Sequence, residues 1–324
     1  MALGIDTFDR MFPDEAACLE YVSRVRFGAE LTCPKCQNGR LYVSRTRPKR
    51  LSCKAAQCEI SIGAGTVFDH CRGSFRDLLY LMLIMAHSTA PVSTSFVERH
   101  FGISRMAAYR MLMQVRIHIA TLLQHERRGG PGQIVQIDET WYPKVRGTIT
   151  GSRRGIIVFG IIDEAGASVR LVSTRRKDEL WPIILETVRE GSVIVTDQHA
   201  SYAGLAACGF EHVALNHSRG QWTDGLGHSS AMIESYWTSL KYFMRFANGS
   251  IKGAYAPLYL AEHVFKFNVR RAGACAFSAM TASFPVLNRE FVPRTLLAFR
   301  SRRQRREMPE TSASEKLSNA VLSP

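Results

Sequence analysis

The sequence predicts a multidomain α+β protein, and three observations carry that expectation. Two short-spaced cysteine pairs lie near the N-terminus, a helix-periodic stretch with few breakers follows them, and strand-like periodicity takes over beyond residue 133. At 324 residues the chain has room for two or three domains. With 46% apolar and 22% charged residues it has the material for a core, which excludes bulk disorder. Lys and Arg number 42 against 28 acids, a difference of +14, so a polyanion is the expected partner, nucleic acid ahead of a membrane surface. Asp6, Asp9, Asp14, Glu15 and Glu20 exclude the basic start of a secretory signal. The longest apolar stretch, Leu78 to Ala86, falls far short of the roughly 20 residues a membrane span needs. A cytoplasmic protein without a membrane partner is expected.

Six of the eight cysteines fall between Cys18 and Cys71, which in a reducing compartment favours metal ligation over disulfides. Cys33-Pro-Lys-Cys36 is followed after sixteen residues by Cys53-Lys-Ala-Ala-Gln-Cys58. Four thiolates in two pairs can close one tetrahedral structural Zn2+ site. The alternation around Arg40–Val43 and Leu51–Cys53 predicts short strands beside the knuckles, the layout of a zinc ribbon. The competing reading is four unrelated buried thiols. Cys18, Cys71, Cys208 and Cys275 lack partners at ligand spacing and read as core residues.

From Ser74 to His125 apolar residues recur at helical spacing. Within that stretch Ser93–His100 forms a short helix, Phe101-Gly102-Ile103 a tight turn, and Ser104 the N-cap of a second helix through Ile117. This is the outline of a helix-turn-helix, with Arg105, Arg110 and Arg116 placed to reach DNA. A plain helical linker with solvated arginines is the alternative.

After the breaker-rich Arg127–Gly132, Ile134–Asp138 reads as a buried strand ending in an acid. Gly155–Ile162 and Ser168–Ser173 read as two antiparallel strands joined at Asp163–Gly166. A helix capped by Asp178 and running to Arg189 precedes the strand Ser192–Asp197. Helices are expected over Ser230–Phe246, carrying Glu234 and Lys241, and over Pro257–Arg271. The order βββαβ matches a ribonuclease-H-like mixed sheet, in which Asp138, Asp197 and Glu234 can converge. Their use would be to hold two Mg2+ or Mn2+ ions around a phosphodiester. Lys241, seven residues after Glu234, lies on the same helix face and could contact DNA phosphate. Glu139, next to Asp138, is expected to point to the other face of the sheet and to matter less.

At this point the chain resembles the transposases of bacterial insertion sequences, the ISXO-type group related to Merlin elements. The resemblance spans about residues 10 to 272. It rests on Phe12–Cys18, Cys33-Pro-Lys-Cys36, Gly65-Thr-Val-Phe68, Ile137-Asp-Glu-Thr140, Val195-Thr-Asp197, Ile233-Glu-Ser-Tyr-Trp237 with Lys241, and Asn268–Arg271. The chain departs from the family pattern at Ala231, where Asn is common, and at Trp141–Lys144, where a Gly-rich segment is common. The resemblance implies a DDE triad of Asp138, Asp197 and Glu234 accompanied by Lys241. It further implies double-stranded DNA partners, namely terminal inverted repeats and target DNA, action as a homo-oligomer on that DNA, and a bacterial, nucleoid-associated location. The competing functions are a non-catalytic DNA-binding regulator and a structure-selective nuclease. The expected division is 1–72 for the N-terminal segment and ribbon, 73–126 for the helix-turn-helix, 127–276 for the catalytic domain and 277–324 for a basic, partly disordered tail with the cluster Arg300–Arg306.

Overall fold

The computed structural model describes residues 3–291, apart from 38, 45, 70, 72, 124–125, 143–144, 147–154, 217–222, 226 and 248–250. The basic cluster Arg300–Arg306 lies outside the described residues.

Two helices unforeseen in the sequence, α1 (Ile5–Met11) and α2 (Glu15–Phe27), come first, the second capped by the Asp14 side chain accepting from the Ala17 N–H at 2.8 Å. A three-stranded antiparallel sheet follows: β1 (Leu41–Val43), β2 (Arg50–Cys53) and β3 (Cys58–Ser61). The first two strands match the expected ribbon, and β3 completes it by pairing Cys58 with Cys53 across their turn. Arg26 ties the ribbon to α2 by donating to the carbonyls of Ile62 and Ala64.

The helical region contains α3 (Phe75–His87), α4 (Thr94–Phe101) and α5 (Arg105–Leu122). Ser104 is the N-cap expected, accepting from the Ala107 N–H at 3.3 Å, and Ser93, expected inside the first helix, is its N-cap instead, accepting from the Phe96 N–H at 3.1 Å. Gly102 turns between the helices with φ +62°, a left-handed conformation that glycine adopts without penalty. One expectation fails here. Arg116 does not face solvent: its side chain is 1% exposed, and its Nε donates to Glu262 at 2.7 Å. The reason is that α5 is a central helix, buried from Val115 to Ala120, so only its first turns are available to a partner.

The main sheet has the order β7–β6–β4–β8–β9. Its strands are β4 (Ile134–Tyr142), β6 (Ile156–Ile162), β7 (Ala167–Val172), β8 (Val193–Asp197) and β9 (Glu211–Leu215), and a separate two-residue pair joins β5 (Val145–Arg146) to β10 (Ile251–Lys252). β7, β6 and β4 are antiparallel neighbours, whereas β4, β8 and β9 run parallel. This mixed sheet is the ribonuclease-H-like architecture expected. Helix α6 (Lys177–Thr187) packs on one face over Val135, Ile137, Phe159 and Ile194. Asp178 stands inside its first turn rather than capping it; the N-cap is Arg176. The other face carries α7 (Ala231–Arg245) and α8 (Ala256–Arg271) over Val158, Ile162 and Tyr142.

The boundary expected at residue 276 falls at the start of a folded segment. α9 (Ala276–Thr281) returns to the N-terminal helices, where Phe277 meets the rings of Phe8 and Phe12, and Tyr21 donates to Thr281. Residues as far as Phe291 form a single compact unit. Among the described residues no helix is long and apolar enough to cross a membrane.

Candidate active site and cysteine cluster

β4 runs four residues past Asp138, so this acid sits mid-strand rather than at the strand end expected. The pairing of Gln136 with Val195 in parallel register carries Asp138 and Asp197, each two residues on, to neighbouring positions on one face. α7 lies over that face, and two β4 side chains hold it there. Gln136 Oε1 accepts from the Ile233 N–H at 2.8 Å, satisfying one of the orphan donors in the first turn of the helix. Asp138 Oδ2 accepts from the Trp237 indole N–H at 2.8 Å. Glu234 lies between these two anchors, one turn before Trp237 on the same stripe of the helix, and accepts from the Ser230 hydroxyl at 2.8 Å. Lys241 continues the stripe one turn beyond Trp237 and is exposed.

Gly160 makes this contact possible. It is the register partner of Asp138 on β6, and a Cβ there would stand 2.4 Å from the Trp237 ring. A glycine inside a strand signals such a close approach, and Gly160 is the mark of it in the sequence. Gln136 offered no comparable sign.

Burial raises the Asp138 carboxyl to about 6 against the pull of the Trp237 N–H, and the charges of Glu139 and Asp197 push the same way. Hard carboxylate oxygens under mutual repulsion are the donor set a divalent cation suits. Among the described residues, only the thiols of Cys33, Cys36 and Cys53 gather as a group of three within 4.8 Å of one another; the carboxylates of Asp138, Asp197 and Glu234 do not, and Cys58 lies outside the thiol group. Glu139 points to the opposite face, as expected. There it is not idle, for its buried carboxylate accepts from Tyr202 Oη at 2.7 Å and from Arg175 at 3.0 Å.

In the ribbon, the Cys36 and Cys53 sulfurs are 3.7 Å apart, and Cys58 is the β3 partner of Cys53. Backbone N–H groups, that of Cys36 foremost, bring the Cys33 thiol down to about 7, whereas desolvation and the neighbouring Cys33 charge push the Cys53 and Cys58 thiols up. A Cβ at Gly39 would come within 2.7 Å of Cys53 Sγ and 2.8 Å of Cys36 Sγ, so this glycine keeps open the space the sulfurs share. These observations fit a structural zinc ion. Of the other cysteines, Cys18 is buried, while Cys71, Cys208 and Cys275 are half-buried.

A ribonuclease-H-like sheet with acids on adjacent strands, behind a cysteine-bearing ribbon, defines the class of zinc-ribbon DDE recombinases. The ISXO2-like transposase domain matches residues 131–268, and the transposase zinc-ribbon domain matches residues 13–60. An uncharacterized transposase-like protein of Haemophilus influenzae is 32% identical over 94 residues, covering 28% of this chain and 70% of that relative. The chain belongs to the ISXO2-like transposase family. Among solved structures, a chain of the simian T-cell lymphotropic virus intasome in complex with the PP2A regulatory subunit B56 gamma aligns at 18% identity and a TM-score of 0.28, over 57% of this chain and 66% of that one. The pre-cleavage Mos1 transpososome aligns at 11% identity and a TM-score of 0.23, over 63% and 78% respectively.

Proposed function

We propose that this transposase binds the terminal inverted repeats of an insertion sequence as a homo-oligomer in the bacterial cytoplasm, associated with the nucleoid, and catalyses Mg2+- or Mn2+-dependent strand cleavage and transfer. In this reading Asp138, Asp197 and Glu234 hold two metal ions, and Lys241 contacts DNA phosphate. The domains act in the order ribbon, helix-turn-helix, catalytic sheet and basic tail. The observation that carries the reading is the β4–β8 register, which sets Asp138 beside Asp197 under the helix bearing Glu234. Two bound divalent ions would supply an activated water or 3′-hydroxyl and a stabilised leaving oxygen. The chain's own part is to hold the carboxylates in place: Trp237 fixes Asp138, the His199 N–H fixes Asp197 Oδ1 at 3.1 Å, and Ser230 fixes Glu234. Exposed Arg105 in the first turn of α5 is suited to phosphate or base edges.

In a strand-transfer assay with Mg2+ and cognate ends, Asp197→Ala loses cleavage and joining by orders of magnitude while end binding persists. Wild-type rates in that variant would instead favour a DNA-binding regulator. Cleavage without joining in the wild type would favour a nuclease. Cys33, Cys36, Cys53 and Cys58 hold one zinc ion in this proposal. Metal analysis then finds about one equivalent per chain in the wild type and less than half of that in Cys36→Ser, and unchanged zinc in the variant contradicts the ligand set.

A further inference from the structure

Glu139 is an acid with a 1% exposed side chain, and a buried carboxylate persists only where cations and donors satisfy it. Its cation is Arg175, whose guanidinium also stands 3.7 Å from Asp197 Oδ2. One side chain thus serves two carboxylates on adjacent strands, one buried and one 28% exposed at the mouth of the site. The loop presenting Arg175 is fixed. Glu179 accepts from the N–H groups of Ser173 (2.6 Å) and Thr174 (2.7 Å), and the Ser201 hydroxyl donates to the Arg175 carbonyl. Tyr202, buried in the core beneath, holds the other oxygen of Glu139. These contacts hold the backbone that presents the Arg175 side chain, itself 43% exposed, to an acid.

We propose that Arg175 is a built-in counter-cation for Asp197, anchored by Glu139 and Tyr202, which an incoming divalent ion must displace. Without it the Asp197 carboxylate would stand beside the charge of Asp138 uncompensated by Arg175. Arg175 therefore holds Asp197 in place before loading, at the cost of weaker metal binding. The inference rests on Asp197 being a metal ligand and adds Arg175 and Glu139 as positioning residues.

The test is Mn2+ titration of full-length, zinc-loaded protein without DNA, followed by the electron paramagnetic resonance signal of free Mn2+. A unit charge about 6 Å from a divalent ion in a water-like dielectric changes affinity about tenfold. Arg175→Gln should therefore bind Mn2+ about tenfold more tightly than wild type, and Arg175→Met, which leaves no polar group, should move with it. Glu139→Gln should bind more weakly, because Arg175 then turns wholly to Asp197. That loss should shrink in the double variant, where Glu139→Gln removes only a through-space charge. A merely structural role would move both single variants in one direction. Unchanged or weaker binding in the Arg175 variants overturns the proposal, as does an undiminished Glu139 effect in the double variant. Should Glu139→Gln fail to fold, the two Arg175 variants decide alone. Asp197→Asn separates the two readings. If it binds Mn2+ like wild type, the metal assignment itself fails. If it loses binding while Arg175→Gln gains none, only the counter-cation fails.

Discussion

Asp138, a proposed metal ligand, shows how a single buried acid can cost the fold stability. Its folded pKa of about 6 stands above the ordinary 3.8, so the fold prefers the neutral acid. A group raised in this way contributes stability that is complete below the unfolded value and disappears as pH rises through the folded one, here between 3.8 and about 6. At pH 8 the metal-free protein therefore carries a buried charge that costs up to about 3 kcal/mol. Asp138→Asn keeps an acceptor for the Trp237 N–H and removes the charge. Without added Mg2+ it should be more stable than wild type by about 1–3 kcal/mol at pH 8, with the gain vanishing near pH 4. Thermal melts at the two pH values check this, and a variant less stable at pH 8 would show that burial is not what raises Asp138.

At the scale of elements, the join between α5 and α8 carries a buried charge cluster outside the site. Arg116 donates to Glu262, which also accepts from Lys266 at 2.7 Å, and the guanidinium lies 4.1 Å from the Tyr259 ring centroid. Removing one member of such a cluster strands the rest. Arg116→Ala should therefore destabilise the protein by about 3–5 kcal/mol, whereas exposed Arg105→Ala should change stability by less than about 0.5 kcal/mol. Denaturant melts of both variants check the contrast, and equal effects would contradict it. The same pair shows what the sequence can and cannot carry. Ser104 was readable as a cap because capping is a local backbone requirement, and Asp138 and Asp197 were readable because hydrophobic strand runs lead into them. Arg116 looked like a recognition residue because its partner lies 146 positions away. Arg175 was hidden for a similar reason: its partner Glu139 lies 36 positions away on another strand. The α9 return depends on aromatic contacts between opposite ends of the chain, which no periodicity reports.

At the scale of the whole molecule, those long-range joins decide how recognition can be tested. A fragment beginning at residue 127 would lose α5, and with it the cover over Glu262 and the His118 contact to the Met280 carbonyl at 2.8 Å. Loss of end binding in such a fragment would report damage as readily as missing contacts, so point variants in the full chain are the informative tool. With a net charge of +14, binding should neutralise at least four phosphates and release their counterions. Affinity for a duplex should then fall about 100-fold or more between 50 and 200 mM salt. Arg105→Ala should lower the slope of log K against log salt by about one if the residue contacts a phosphate, and should relax sequence preference if it reads a base. Fluorescence anisotropy across a salt series on terminal-repeat and scrambled duplexes separates these outcomes. An unchanged slope with unchanged preference would remove Arg105 from the interface and return α4 and α5 to a purely structural role.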